Sequence, residues 1–149
     1  MKVIVHLKGI FCERGGLVKI KGLLLANTIW GFNNDVKKRV EMFSTFHEGL
    51  LMNQLPHAPN GDQRPITLAE GDYLICPAFI DVTLETPWDQ TPDYLKIGGF
   101  LFTDEKYEVI TVNDLRNITS PKTYWVRFDE GTQSVIAEFE LELTNESNS

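Results

Sequence analysis

At 149 residues, with 42% hydrophobic and 23% charged content, the chain has the make-up of one globular domain that buries a core without staples. Its net charge of −7 and pI near 4.9 argue against a nucleic-acid-binding domain, whose usual footprint is basic. No apolar run approaches the roughly 18 residues of a membrane-spanning helix, so no membrane partner is expected.

The charge is unevenly spread. Residues 1–39 hold eight of the 14 bases and two of the 21 acids, a net of +6 against −13 for the remainder. This reads as a basic patch, as basic strands facing acidic ones within one sheet, or as two faces that associate head to tail. The single spacing of the bases along strands favours the second. An N-terminus without a leader-like apolar core leads to the expectation of a cytoplasmic protein, and in that reducing compartment the two distant cysteines, Cys12 and Cys76, are expected as free thiols.

Along the chain, Val3, Val5 and Leu7 alternate with Ile4, His6 and Lys8, the period of a strand rather than the unbroken apolar core of a leader peptide. The glycines of "CERGG" place a turn at Gly15 and Gly16. Val18 and Ile20, alternating with Lys19 and Lys21, start a second strand, and Gly22 marks a bulge or a close backbone approach. After "WGFNN" the spacing predicts a helix over 35–52. Asn34 suits its cap, Asp35 its positive end, and Val36, Val40, Phe43, His47 and Leu50 share one stripe. Residues 53–65, "NQLPHAPNGDQRP", read as a loop.

"AEGD" reads as a tight turn into a strand over 73–85. Ala78, Ile80, Val82 and Leu84 form one face; Phe79, Asp81, Thr83 and Glu85 form the other, and Pro77 marks an edge or a bulge. "YLKIGGFLF", "KYEVITV", "KTYWVRF" and "SVIAEFELEL" supply further strands, with one helical turn near 113–117 and a hairpin at "DEGTQ". The last strand turns Val135, Ala137, Phe139, Leu141 and Leu143 inward and Glu138, Glu140 and Glu142 outward. The expectation is a single domain over 1–143 with a frayed polar tail at 144–149. Its fold class is α+β and β-rich: a mainly antiparallel sheet or sandwich of about seven or eight strands with one substantial helix.

No nucleotide-binding, zinc-hydrolase or serine-hydrolase motif is present. His6, His47 and His57 do not sit at ligand spacing with each other or with the cysteines. The sequence therefore assigns no catalytic residue, no metal ligand and no cofactor. Asp81, Glu85, Asp89 and Asp93 recur every four residues. Glycosidic chemistry needs two carboxylates about 5–9.5 Å apart, whereas Asp81 and Glu85 on one strand face are about 13 Å apart.

"ETPWDQTPDY", residues 85–94, is stiffened by its prolines, because Thr86 and Thr91 before them are biased to extended backbone. A rigid loop that exposes a tryptophan loses little entropy on binding, which makes Trp88, Asp89, Asp93 and Tyr94 protein-contact candidates. The opposing reading folds Trp88 back onto the core. Lys19, Lys21, Lys37, Lys38 and Arg39 are the basic-patch candidates. The leading expectation is a small intracellular, non-enzymatic binding or assembly module of the inhibitor, immunity or viral structural kind. Its partner is another protein or its own copies in a homo-oligomer. The alternatives are a small hydrolase or sugar-binding protein using residues 81–94, and a nucleic-acid contact through the basic N-terminal third.

Overall fold

The computed structural model describes residues 1–46, 65–118 and 121–144. They form strands β1 (Lys2–Arg14), β2 (Leu17–Ile20), β3 (Gly22–Ile29), β4 (Val36–Ser44), β5 (Ile66–Ala69), β6 (Tyr73–Thr83), β7 (Tyr94–Leu101), β8 (Asp104–Ile110), β9 (Lys122–Glu130) and β10 (Gln133–Leu143), with one short helix, α1 (Val112–Arg116). Two four-stranded sheets run in the orders β6-β1-β10-β9 and β4-β3-β7-β8, and β2 pairs with β5. Every pairing among these strands is antiparallel. None of the described helices is long and apolar enough to cross a membrane.

The alternation read in the sequence builds the core. Val3, Val5 and Leu7 of β1 and Val135, Ala137, Phe139 and Leu141 of β10 meet Leu24 and Ala26 of β3 and Leu95, Ile97 and Leu101 of β7 in one buried cluster. Each of the larger of these side chains contributes about 1.5–3 kcal/mol by leaving water. β3 is buried at all eight positions because it is an inner strand covered on both faces, which is why "GLLLANTI" reads as a continuous apolar run. Pro77 lies on the edge strand β6 where its register with β1 slips between Ile75 and Ala78, a place where no ladder donor is needed.

The expected α+β fold with a substantial helix over 35–52 is corrected. Residues 36–44 form the edge strand β4, and 47–64 lie outside the described residues. The physical reason is a pair of bulges. β4 slips against β3 between the Val36 and Lys38 pairings and between the Glu41 and Phe43 pairings, leaving Lys37 and Met42 as extra residues. Val40 pairs with Ala26 and Phe43 with Leu24, so two inward positions stand three apart, a helical spacing made by a strand. Asn34 does not cap a helix. It sits at φ 64 in the β3–β4 turn, where Asn33 Oδ1 accepts from the Asp35 amide at 3.0 Å. The short turn expected at 113–117 is α1, closed by a capping box in which Thr111 and Asp114 satisfy each other's amides.

The uneven charge resolves in part within the fold. Lys8 pairs with Glu140 at 3.5 Å, Arg14 with Asp129 at 3.6 Å and Lys37 with Asp93 at 2.8 Å, each an N-terminal base against a later acid.

Candidate functional site

The connection from β6 to β7, residues 84–93, begins where Leu84 drops into the core and exchanges hydrogen bonds with Met1. It closes on itself eight residues later: the Asp93 amide donates to the Glu85 carbonyl at 2.9 Å, and the Glu85 amide donates to Asp93 Oδ2 at 2.9 Å. Between these bonds the chain passes both Thr-Pro pairs and turns at Trp88 and Asp89. Trp88 does not fold back; it is 95% exposed.

The neighbouring turn from β3 to β4 and the start of β4 hold the loop from the side. Lys37 Nζ donates to Asp93 Oδ2 at 2.8 Å, and the Gly31 amide donates to Asp93 Oδ1 at 3.4 Å. Lys37 is the extra residue of a β4 bulge, a distortion that re-aims a side chain. Here it sends the ammonium onto Asp93, 3.9 Å from Glu85 Oε1 and 4.3 Å from the centroid of the Trp30 ring. Gly31 packs so closely that a Cβ would overlap the carbonyls of Thr91 and Pro92. Tyr94 Oη donates to Asn34 Oδ1 at 3.2 Å, a further tie between the two segments.

The carboxylate at the centre is 3% exposed. Burial alone pushes the Asp93 carboxyl up, but the Lys37 hydrogen bond and the Glu85 and Gly31 amides outweigh it and hold it below the ordinary carboxylate value. It is thus a buried anion whose oxygens are occupied from three directions.

Of the four contact candidates, Trp88 and Asp89 are exposed at the tip, Tyr94 is half-buried at the start of β7, and Asp93 is the buried base of the loop. The structure adds Phe32, which sequence reasoning passed over. It is exposed at the tip of the β3–β4 turn, edge-on to Trp30 with ring centroids 5.6 Å apart.

The five basic-patch candidates do not come together. Lys37 is committed to Asp93, and Lys38 and Arg39 pair across from Thr28 and Asn27. Lys21 precedes the other end of β3, seven residues from Thr28 along the chain and so roughly 23 Å away, and Lys19 lies on β2 before it. The carboxylates of 81–93 likewise separate, Asp81 opposite Ile4 in the first sheet and Asp93 in its clamp.

A second exposed apolar surface lies on the outer face of the first sheet. Phe79 stacks on His6 with centroids 4.0 Å apart, and Ile75 and Trp125 are exposed nearby in register through Gly9 and Glu138. Tyr73 lies over Gly9 and donates to Glu138 Oε1 at 2.6 Å. The odd-numbered positions of β6 carried this signal, since Tyr73, Ile75 and Phe79 alternate with the inward residues.

Cys12 and Cys76 are free and buried, and burial pushes both thiols up, Cys76 to about 11, the reverse of an activated thiolate. Among the described residues no group of three His, Cys, Asp or Glu side chains converges to hold a metal ion. His47 and His57 lie outside the described residues. No family model matches this chain, and neither a curated protein nor a solved structure matches it.

Proposed function

We propose that the chain is a protein-binding or assembly module, acting without catalysis, whose contact anchor is Trp88. The observation that carries this reading is the pairing of a 95% exposed tryptophan with a loop base fixed by a buried, fully hydrogen-bonded carboxylate. Tryptophans in such positions dominate binding energies, and a pre-ordered loop has little freedom left to lose on binding. Phe32, exposed on the adjoining turn, offers a second apolar side chain, and Asp89 and Glu85 give the loop an acidic border. A complementary partner presents an apolar hollow with a basic rim.

The reading as a hydrolase or sugar-binding protein draws less support, because Asp93 is consumed by its clamp. A nucleic-acid contact draws less still, because the bases are dispersed and one is neutralised.

Trp88→Ala tests the proposal. The variant is expected to keep the far-ultraviolet spectrum and melting temperature of the parent while losing co-purification of the partner, or self-association, by at least about tenfold. Unchanged capture and unchanged sedimentation overturn it.

A further inference from the structure

We infer that the partner of the Trp88 loop is a second copy of this chain, joined head to tail, with the indole entering a cleft at the opposite end of the neighbouring molecule; this rests on the contact role proposed for Trp88. The cleft has a volume of about 270 Å³ and is lined by Lys19, Lys21, Phe100, Phe102, Thr103 and Glu130.

Its chemistry mirrors that of the loop. Two phenyl rings supply apolar walls, and the ammonium groups of Lys19 and Lys21 have no ion-pair partner among the described residues. The one acid in the lining, Glu130, accepts from Thr103 Oγ1 at 3.2 Å. The loop offers an exposed indole beside Asp89, also unpaired among the described residues, and Glu85. An indole seated against these rings stands beside the lysines and brings its acidic neighbours to their charge, a match of apolar character and of sign.

Both sides are fixed before they meet. The loop is clamped at Asp93, and the cleft is bounded by Phe102, a non-glycine residue at φ 62 in the two-residue turn between β7 and β8. A phenylalanine in that region is strained and persists only where its surroundings hold it. Here its amide donates to the Lys21 carbonyl at 2.9 Å, and its side chain packs against the core.

The topology excludes a meeting within one molecule. The loop enters β7 at Tyr94 and the cleft begins at Phe100, so the two features lie at opposite ends of that strand, roughly 20 Å apart. A contact between two different patches is heterologous, and it propagates as an open chain or closes into a ring.

Sedimentation velocity over a concentration series tests this. The parent is expected to form species larger than a dimer as concentration rises, weakening with added salt. Trp88→Ala and the double variant Lys19→Glu/Lys21→Glu are each expected to reduce association at least about tenfold. All of these side chains are exposed, and thermal melts serve to check that the variants remain folded. Mixing the two variants decides the geometry. One retains an intact cleft and the other an intact loop, so together they form a one-to-one complex that cannot grow. If the lysine variant still self-associates while Trp88→Ala does not, the loop meets another surface; the cleft assignment falls and the contact role of Trp88 stands. If the parent remains monomeric throughout, self-assembly falls and capture of a different protein tests the contact role by itself. If Trp88→Ala associates like the parent, both fall.

Discussion

At the end of the sheets that carries residues 84–93, one acid and one base are joined away from solvent; at the other end several are joined in the open. There, Glu13 pairs with Arg127, and Asp129 lies 3.6 Å from Arg14, 3.4 Å from Arg127 and 3.4 Å from Lys106. Asp104 meets Lys106 at 3.3 Å and takes the Asp129 amide at 2.8 Å. Counting ion pairs would make this second end the better secured. Burial reverses the ranking, since exposed pairs contribute about 0–1 kcal/mol. Removing one partner of a buried pair costs about 3–5 kcal/mol, because the other is left unpaired.

The largest expected effect is therefore at Asp93. Asp93→Ala takes from the Lys37 ammonium its nearest partner, leaving the weaker contact with Glu85, and strands the amides of Gly31 and Glu85; it is expected to lower the unfolding free energy by about 3–5 kcal/mol in a urea titration. A loss below about 1 kcal/mol would erase the distinction between the two ends.

The same carboxylate gives the comparison a pH axis. Its folded value is depressed, so its contribution is complete above the unfolded value near pH 3.9 and is lost as pH falls through the lower folded value. The stability gap between the parent and Asp93→Asn is expected to be constant near neutrality and to shrink below about pH 4. A gap that does not move with acid would mean that the ionised form is not what the fold prefers.

The smallest effect belongs to the open network. Arg127→Ala is expected to cost about 1 kcal/mol or less, with the difference fading in 1 M salt, where charges more than about 3 Å apart are screened. A cost matching that of Asp93→Ala would show that the network acts as a unit.

How far the sequence disclosed these features depended on the range of the interaction. Strand alternation is local, so the faces of β1, β6 and β10, the turn at Gly15 and Gly16, and the edge role of Pro77 were readable. β4 was not, because its bulges arise from pairing with β3, and nothing between residues 36 and 44 announces a partner. The stiffness of the 84–93 loop was legible in its prolines; the exposure of Trp88 was undecided. That Asp93 would be buried was hidden, because its partners Lys37 and Gly31 stand 56 and 62 residues away. Phe102 and Lys21 were hidden in the same way, meeting only when the β7–β8 turn reaches β3.

The extra residue at Lys37 carries one more consequence. β4 is the outermost strand of its sheet, with a row of backbone groups facing away from β3. A straight edge of that kind recruits foreign strands and seeds aggregation, and irregularity is a common defence. Deleting Lys37 would let Val36 and Lys38 follow one another along Ile29 and Thr28 without a slip, giving a neater ladder. It would also remove the ammonium that reaches Asp93 and leave the Met42 bulge as the remaining irregularity between β4 and β3. One inserted residue thus shapes the sheet border and the loop together, and a shortened chain is expected to be more prone to strand-to-strand association and to lose the form of the loop that carries Trp88.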